Sequence, residues 1–303
     1  MKFLKLIIPV FLISLFVVNC KNKETKKAEI EKVEKVNSSK KNLDIITSFE
    51  AWKKNPVPLI SAHRGGPYPG FPENAIETFN NVAEQASVVI ECDVAMSKDS
   101  VLVLMHDNKL NRTTNGEGPI QDKTYKELQG LKLVDNEGNI TEFKIPTLDE
   151  VLTWGKNKVL FTLDIKRGVP FEKVIAAVEK HKAIDYAAII TYSVNDATLV
   201  HSLNKEVMIS VSAGNDGALE QIEKANLPAD KLLGFVGTRQ PELTHYEKLK
   251  EKGIKTILGT LGNLDKSAVA KGDDSIYLTY IKNGANIIAT DRPLEVAKVL
   301  NKQ

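Results

Sequence analysis

The sequence predicts an α/β fold of the (β/α)8 TIM-barrel type, with a hairpin arm and a small insertion after the second barrel strand. From residue 58 onward, β-rich runs ending in polar residues alternate with helical segments whose apolar residues fall three and four apart. Nine such runs are present, at 58–63, 88–97, 101–106, 159–166, 188–193, 207–213, 232–237, 255–262 and 286–291. Only Lys98, Asp99 and Ser100 separate the second from the third. A parallel crossover needs a dozen residues or more, so 101–106 must fold back as an antiparallel arm, and eight strands remain to close a barrel.

The elements follow in order. The first strand, PLISAH, is followed by no Gly-rich dinucleotide fingerprint, which counts against a doubly wound open sheet. Helices are predicted within NAIETFNNVAEQA, FEKVIAAVEKHKA and PELTHYEKLKEKG. About fifty residues separate the arm from the next barrel strand and include two short helices, TYKELQGL and TLDEVLTWGK. An insertion of that length is expected to cover the mouth or shape the substrate site.

Ahead of the barrel, Lys2 and Lys5 precede an apolar run from Leu6 to Val18, the pattern of a secretory signal rather than a spanning helix. Asn19 and Cys20 follow, resembling a bacterial lipoprotein signal in which Cys20 becomes the lipid-modified first residue. Gly, Ala or Ser is more usual before that cysteine, so cleavage elsewhere is the alternative. Residues 21–41 hold eight lysines, four glutamates and no aromatic residue, too little apolar surface to offset the entropy of ordering. The expected organisation is a signal peptide over 1–20, a charged flexible tether over 21–55 and a barrel domain over 56–303. The protein is then exported and membrane-anchored, facing the periplasm or the cell exterior. A net charge of +2 with 26% charged residues gives no sign of a nucleic-acid partner and favours a small polar substrate.

Strand alternation locates the chemistry. In VIECDV, Glu91 and Asp93 share one face while Ile90, Cys92 and Val94 share the other. The apolar set belongs against the outer helices, so both acids point into the barrel mouth. In FTLDIK, Asp164 and Lys166 likewise share the inward face. Like charges in a low-dielectric site are costly unless compensated, and three converging carboxylates suit a hard divalent cation, Ca²⁺ or Mg²⁺. The alternative is an ion-pair cluster in which Lys166 or Arg64 neutralises the acids. His63 and His106 close the first strand and the hairpin arm, where two imidazoles could serve as general base and general acid; either alone could equally be a hydrogen-bonded core group. His181, His201 and His245 fall in helical segments and suit surface or capping roles.

The runs HRGG (63–66), PEN (72–74), IECDV (90–94), SKDSVLVLMHD (97–107), LNRTTNGEG (110–118), TYKELQGL (124–131), IPTLDEVL (145–152) and LDIK (163–166) together resemble the glycerophosphodiester phosphodiesterase family. A fainter match reaches IIATDRP (287–293). The resemblance implies a barrel that hydrolyses glycerophosphodiesters to glycerol phosphate and an alcohol with a divalent metal. It implies His63 and His106 as the acid/base pair, Glu91, Asp93 and Asp164 as metal ligands, and Arg64 and Lys166 as phosphate-binding cations. Glu73 and Asn74, next to the start of the first helix, are expected to support the site from behind, although helix capping alone would explain Asn74. Two departures stand out: the third ligand in the family is usually Glu, one methylene longer than Asp164, and the family's late-strand tryptophan is missing, since the only tryptophans are Trp52 and Trp154. Related barrels that release a cyclic phosphate from phospholipid, and a surface lipoprotein that binds a phosphodiester without turnover, are the competing readings.

Overall fold

A computed structural model describes residues 46–301. All nine expected strands form: β1 (Leu59–Ala62), β2 (Val88–Met96), β3 (Leu102–Leu104), β4 (Leu160–Ile165), β5 (Ala187–Ile190), β6 (Met208–Ser212), β7 (Leu232–Phe235), β8 (Lys255–Gly259) and β9 (Ile287–Thr290). Eight of them run parallel from β1 through β2 and β4 to β9, and β1 pairs with both β2 and β9, closing the barrel. β3 pairs antiparallel to β2 alone, Val94 opposite Leu104 and Met96 opposite Leu102, which is the predicted arm.

The strands are buried along almost their whole length because side chains on one face fill the barrel and those on the other meet helices. Val89, Ile90, Cys92, Val94, Phe161, Leu163 and Ile189 are each fully buried. Helices lie between successive barrel strands, and the insertion ends in the Leu148–Gly155 helix. There Thr147 accepts from the Glu150 backbone while Glu150 reaches back to the Thr147 backbone, a reciprocal cap that fixes where the chain turns toward β4. The insertion has its own small core of Met105, Leu110, Ile120, Leu128, Leu133 and Ile145 against Ala75, Ala95 and Val103.

One expected boundary is corrected. The flexible tether predicted over 21–55 does not extend to 55: Phe49–Lys54 is a helix whose Phe49 and Trp52 are each 1% exposed. The Trp52 indole N–H donates to the Val57 carbonyl at 2.8 Å, and the Phe49 N–H to the Asp185 carbonyl at 2.9 Å. Val57 and Asp185 lie just ahead of β1 and β5, so this helix closes the barrel at the end opposite the strand C-termini. Two aromatics three residues apart bury enough apolar surface to order a segment that its lysines suggested was solvated. The expected signal peptide, Cys20 and the expected tether up to residue 45 lie outside the described residues. Among the described residues no helix is long and apolar enough to cross a membrane.

Candidate active site

The site is assembled at the C-terminal ends of the strands. β2 and β4 pair in register so that Asp93 lies opposite Asp164 and Glu91 opposite Thr162. Period-two alternation then turns Glu91, Asp93 and Asp164 to the same side, and one carboxylate oxygen from each lies within 4.8 Å of the others. Two oxygens on opposite sides of a cation bound at 2.3–2.4 Å would be about 4.7 Å apart, so the cluster matches the shell of a single ion.

The turn after β1 is built to meet these acids. Arg64, Gly65 and Gly66 take positive φ angles of 51°, 85° and 74°. This conformation aims the Arg64 backbone N–H at Glu91 Oε2, 2.6 Å away. A non-glycine residue in that region is strained, and here the strain buys a charge-assisted bond to a buried carboxylate. Asn74, also at positive φ, holds Asp93 twice: its side-chain amide donates to Asp93 Oδ2 at 2.6 Å, and its carbonyl oxygen accepts from the Asp93 N–H at 2.9 Å. The support expected of Asn74 is therefore observed as direct bonds rather than a helix cap.

Lys166 Nζ lies 2.5 Å from Asp93 and 2.7 Å from Asp164, so the predicted phosphate-binding lysine bridges two of the acids. Burial disfavours its charge, but Asp93 and then Asp164 outweigh that and hold the ammonium above its usual range. Among the described residues no Lys or Arg pairs with Glu91; burial first, then the Asp93 charge, push its carboxyl up to about 8, against the opposing pull of His63 and the Arg64 N–H. Asp164 Oδ1 is buried with no hydrogen-bond partner. An uncompensated carboxylate beside an orphaned acceptor is what a divalent cation would relieve, so the residues present fit one.

His63 Nδ1–H donates to Asp291 Oδ1 at 2.7 Å, and His106 Nδ1–H to Asp107 Oδ1 at 2.7 Å. Asp107 is in turn clamped by the Arg112 guanidinium at 2.7 and 2.9 Å, which holds its carboxyl far below the usual range. The other edge of Arg112 grips Glu73 with two bonds of 2.8 Å, and Arg64 reaches Glu73 at 3.0 and 3.2 Å. Glu73, 4% exposed, thus joins the insertion to the turn after β1.

Above the acids opens a cavity of about 240 Å³, lined by His63, Glu91 and Asp164 on one side and by Tyr192, Phe235, Ile257 and Leu261 on the other. His106 is not part of that lining; it stands on the insertion side, joined to the site through Asp107, Arg112 and Glu73.

The residues from His63 to 263 match the glycerophosphoryl diester phosphodiesterase family model. The chain belongs to that family. A glycerophosphodiester phosphodiesterase of Caldanaerobacter subterraneus is 30% identical over 252 residues, which are 80% of this chain and 98% of that protein. The crystal structure of a glycerophosphoryl diester phosphodiesterase from Parabacteroides distasonis superposes with a TM-score of 0.77 at 33% identity, covering 89% of this chain and 92% of the other. An Oleispira antarctica phosphodiesterase, solved with the product sn-glycerol-3-phosphate, shares the fold at a TM-score of 0.64 and 22% identity over 81% of this chain and 97% of its own.

Asp291, Arg112 and Tyr192 join the site without having been expected there from the sequence. The Tyr192 hydroxyl donates to Asp164 Oδ2 at 2.9 Å. Among the described residues no tryptophan lines the cavity; its aromatic residues are Tyr192 and Phe235, the latter at the end of β7. His245 is corrected from a surface or capping role: it is 6% exposed, with Nε2 2.8 Å from the Ala213 carbonyl and Nδ1 3.1 Å from Asp216.

Proposed function

We propose that this chain hydrolyses glycerophosphodiesters to glycerol phosphate and an alcohol, with a divalent cation, Ca²⁺ or Mg²⁺, held by Glu91, Asp93 and Asp164. The observation that carries the reading is the charge imbalance of the site. Glu91, Asp93 and Asp164 bring carboxylate oxygens within 4.8 Å of one another, and among the described residues the Lys and Arg side chains near them are Lys166, bridging Asp93 and Asp164, and Arg64, 3.9 Å from Asp93. A phosphodiester is itself an anion and would be repelled from such a cavity. A bound cation would supply the missing positive charge and withdraw electron density from the phosphoryl oxygens.

The protein side chains carry the proton traffic. With Nδ1 committed to Asp291 in His63 and to Asp107 in His106, Nε2 is the ring nitrogen left to exchange a proton in each. One imidazole takes a proton from the attacking water as its oxygen bonds to phosphorus, and the other gives a proton to the departing alcohol oxygen as that P–O bond breaks. The carboxylate behind each ring fixes its tautomer and steadies the imidazolium. Arg64, held by Glu73 at 3.0 Å and 3.9 Å from Asp93, offers its guanidinium to the phosphate. The apolar wall of Phe235, Ile257 and Leu261 receives the uncharged part of the substrate.

Phosphorus NMR of a glycerophosphocholine reaction tests this directly. Glycerol phosphate should appear as the first product; a cyclic phosphate would move the assignment to the internal-attack relatives, and binding without turnover to a non-catalytic surface protein. Export and lipid anchoring at Cys20 belong to the same proposal, supported by the N-terminal pattern. Labelled palmitate should enter the wild-type chain and not Cys20→Ala.

A further inference from the structure

Asp164 is held unevenly. Two donors converge on Oδ2, the Tyr192 hydroxyl at 2.9 Å and Lys166 Nζ at 2.7 Å, while Oδ1 is buried without a partner. A carboxylate free to rotate would spread its donors over both oxygens, since a buried unpaired acceptor is costly. Tyr192 lies just beyond β5, which pairs with β4 so that Ile190 sits opposite Asp164. The tyrosine is thus two residues further along the neighbouring strand and reaches back with its hydroxyl. The residue is 69% exposed where it lines the cavity. Packing does not anchor an aromatic so open to water, and the bond to Asp164 is the polar contact that fixes it.

We infer that Tyr192 is a positioning residue that orients the Asp164 carboxylate, tying down Oδ2 so that Oδ1 is the oxygen offered to the cation. This inference rests on the cation reading given above. It also accounts for a glutamate being dispensable at this position. An Asp side chain is one methylene shorter and has one fewer torsion to adjust, so the plane of its carboxylate decides whether an oxygen reaches the ion. A donor on the next strand sets that plane. Lys166 cannot set it alone, because its ammonium is shared with Asp93.

The test is calorimetric titration of the full-length chain with Ca²⁺ and, separately, Mg²⁺, in the absence of any substrate. Tyr192→Phe keeps the exposed ring and removes only the hydroxyl, so folding is not at issue. Cation affinity should fall about tenfold, the scale on which groups that orient metal ligands act. The melting temperature of the cation-free protein should stay at the wild-type value. Equal cation affinity in wild type and Tyr192→Phe, with or without a lower melting temperature, would overturn the inference and leave the proposed function standing. No cation binding by the wild type would overturn both.

Discussion

His63 and Asp291, 228 residues apart in the chain, meet through a 2.7 Å bond from Nδ1–H to Oδ1 that joins the ends of the first and last barrel strands. Asp291 is itself fixed by its backbone, whose N–H donates to the buried Asp265 at 2.9 Å. The carboxylate therefore sets the tautomer and direction of the imidazole. Asp291→Asn keeps the shape and removes the charge, and kcat should drop on the order of 100-fold with little change in KM. Steady-state kinetics on glycerophosphocholine checks this.

The same pair gives a pH signature to stability. Burial works against the charged form of His63, but the Asp291 bond and the Glu91 charge outweigh it and raise the imidazole above 6.5. Its contribution is fully present below pH 6.5 and is lost as pH rises through the raised value. Burial also opposes ionisation of Asp291, yet the His63 bond holds it below 3.8, so its contribution is present above pH 3.8 and lost as pH falls through the lowered value. Asp291→Asn should therefore cost most near pH 5–6 and less near pH 9, where the imidazole charge is gone and only the neutral His63–Asp291 hydrogen bond remains. Half-exposure of Asp291 limits the loss to below about 1 kcal/mol. Denaturant melts of cation-free protein at the two pH values measure it.

Glu73 is buried between two guanidiniums. Glu73→Gln leaves both under-compensated and should destabilise the fold by about 3 kcal/mol, while detaching His106 from the barrel through Arg112. A fall in both melting temperature and kcat is expected. A variant as stable as wild type would mean the clamp is not formed.

Gly65 lies at φ +85°, and a Cβ there would come within 2.2 Å of the Phe79 ring. Gly65→Ala should cost about 3 kcal/mol or more, because strain and overpacking add and Phe79 is fully buried. Thermal unfolding reads the loss.

Phe235 is one aromatic of the cavity wall. Phe235→Ala should raise KM several-fold for substrates with bulky alcohols and change kcat far less, since the ring binds and does not react. A comparison of glycerophosphocholine with glycerophosphoglycerol tests whether it contacts the alcohol.

The barrel was legible because its strands are buried on both faces and its helices are amphipathic, so each element announces its period locally. The short link after Met96 likewise fixed the hairpin arm. Glu91, Asp93 and Asp164 were legible for the same reason, as acids on the inward phase of apolar strands. Asp291, Arg112 and Tyr192 were not, since each acts through a partner that no local pattern brings near. Register held a usable clue for one of them. Ala62 pairs with Thr290, so the next residues, His63 and Asp291, had to be neighbours once β1 and β9 closed the barrel. Phe49 and Trp52 were hidden by the lysine-rich composition of the segment before them, which favours solvation.

Release of glycerol phosphate from glycerophosphocholine, followed with the cation removed by chelator and then restored, tests the central claim most directly. Activity should vanish on chelation, return with Ca²⁺ or Mg²⁺, and be absent under all conditions in Asp93→Asn. Undiminished turnover in excess chelator, or full activity in Asp93→Asn, would contradict the account.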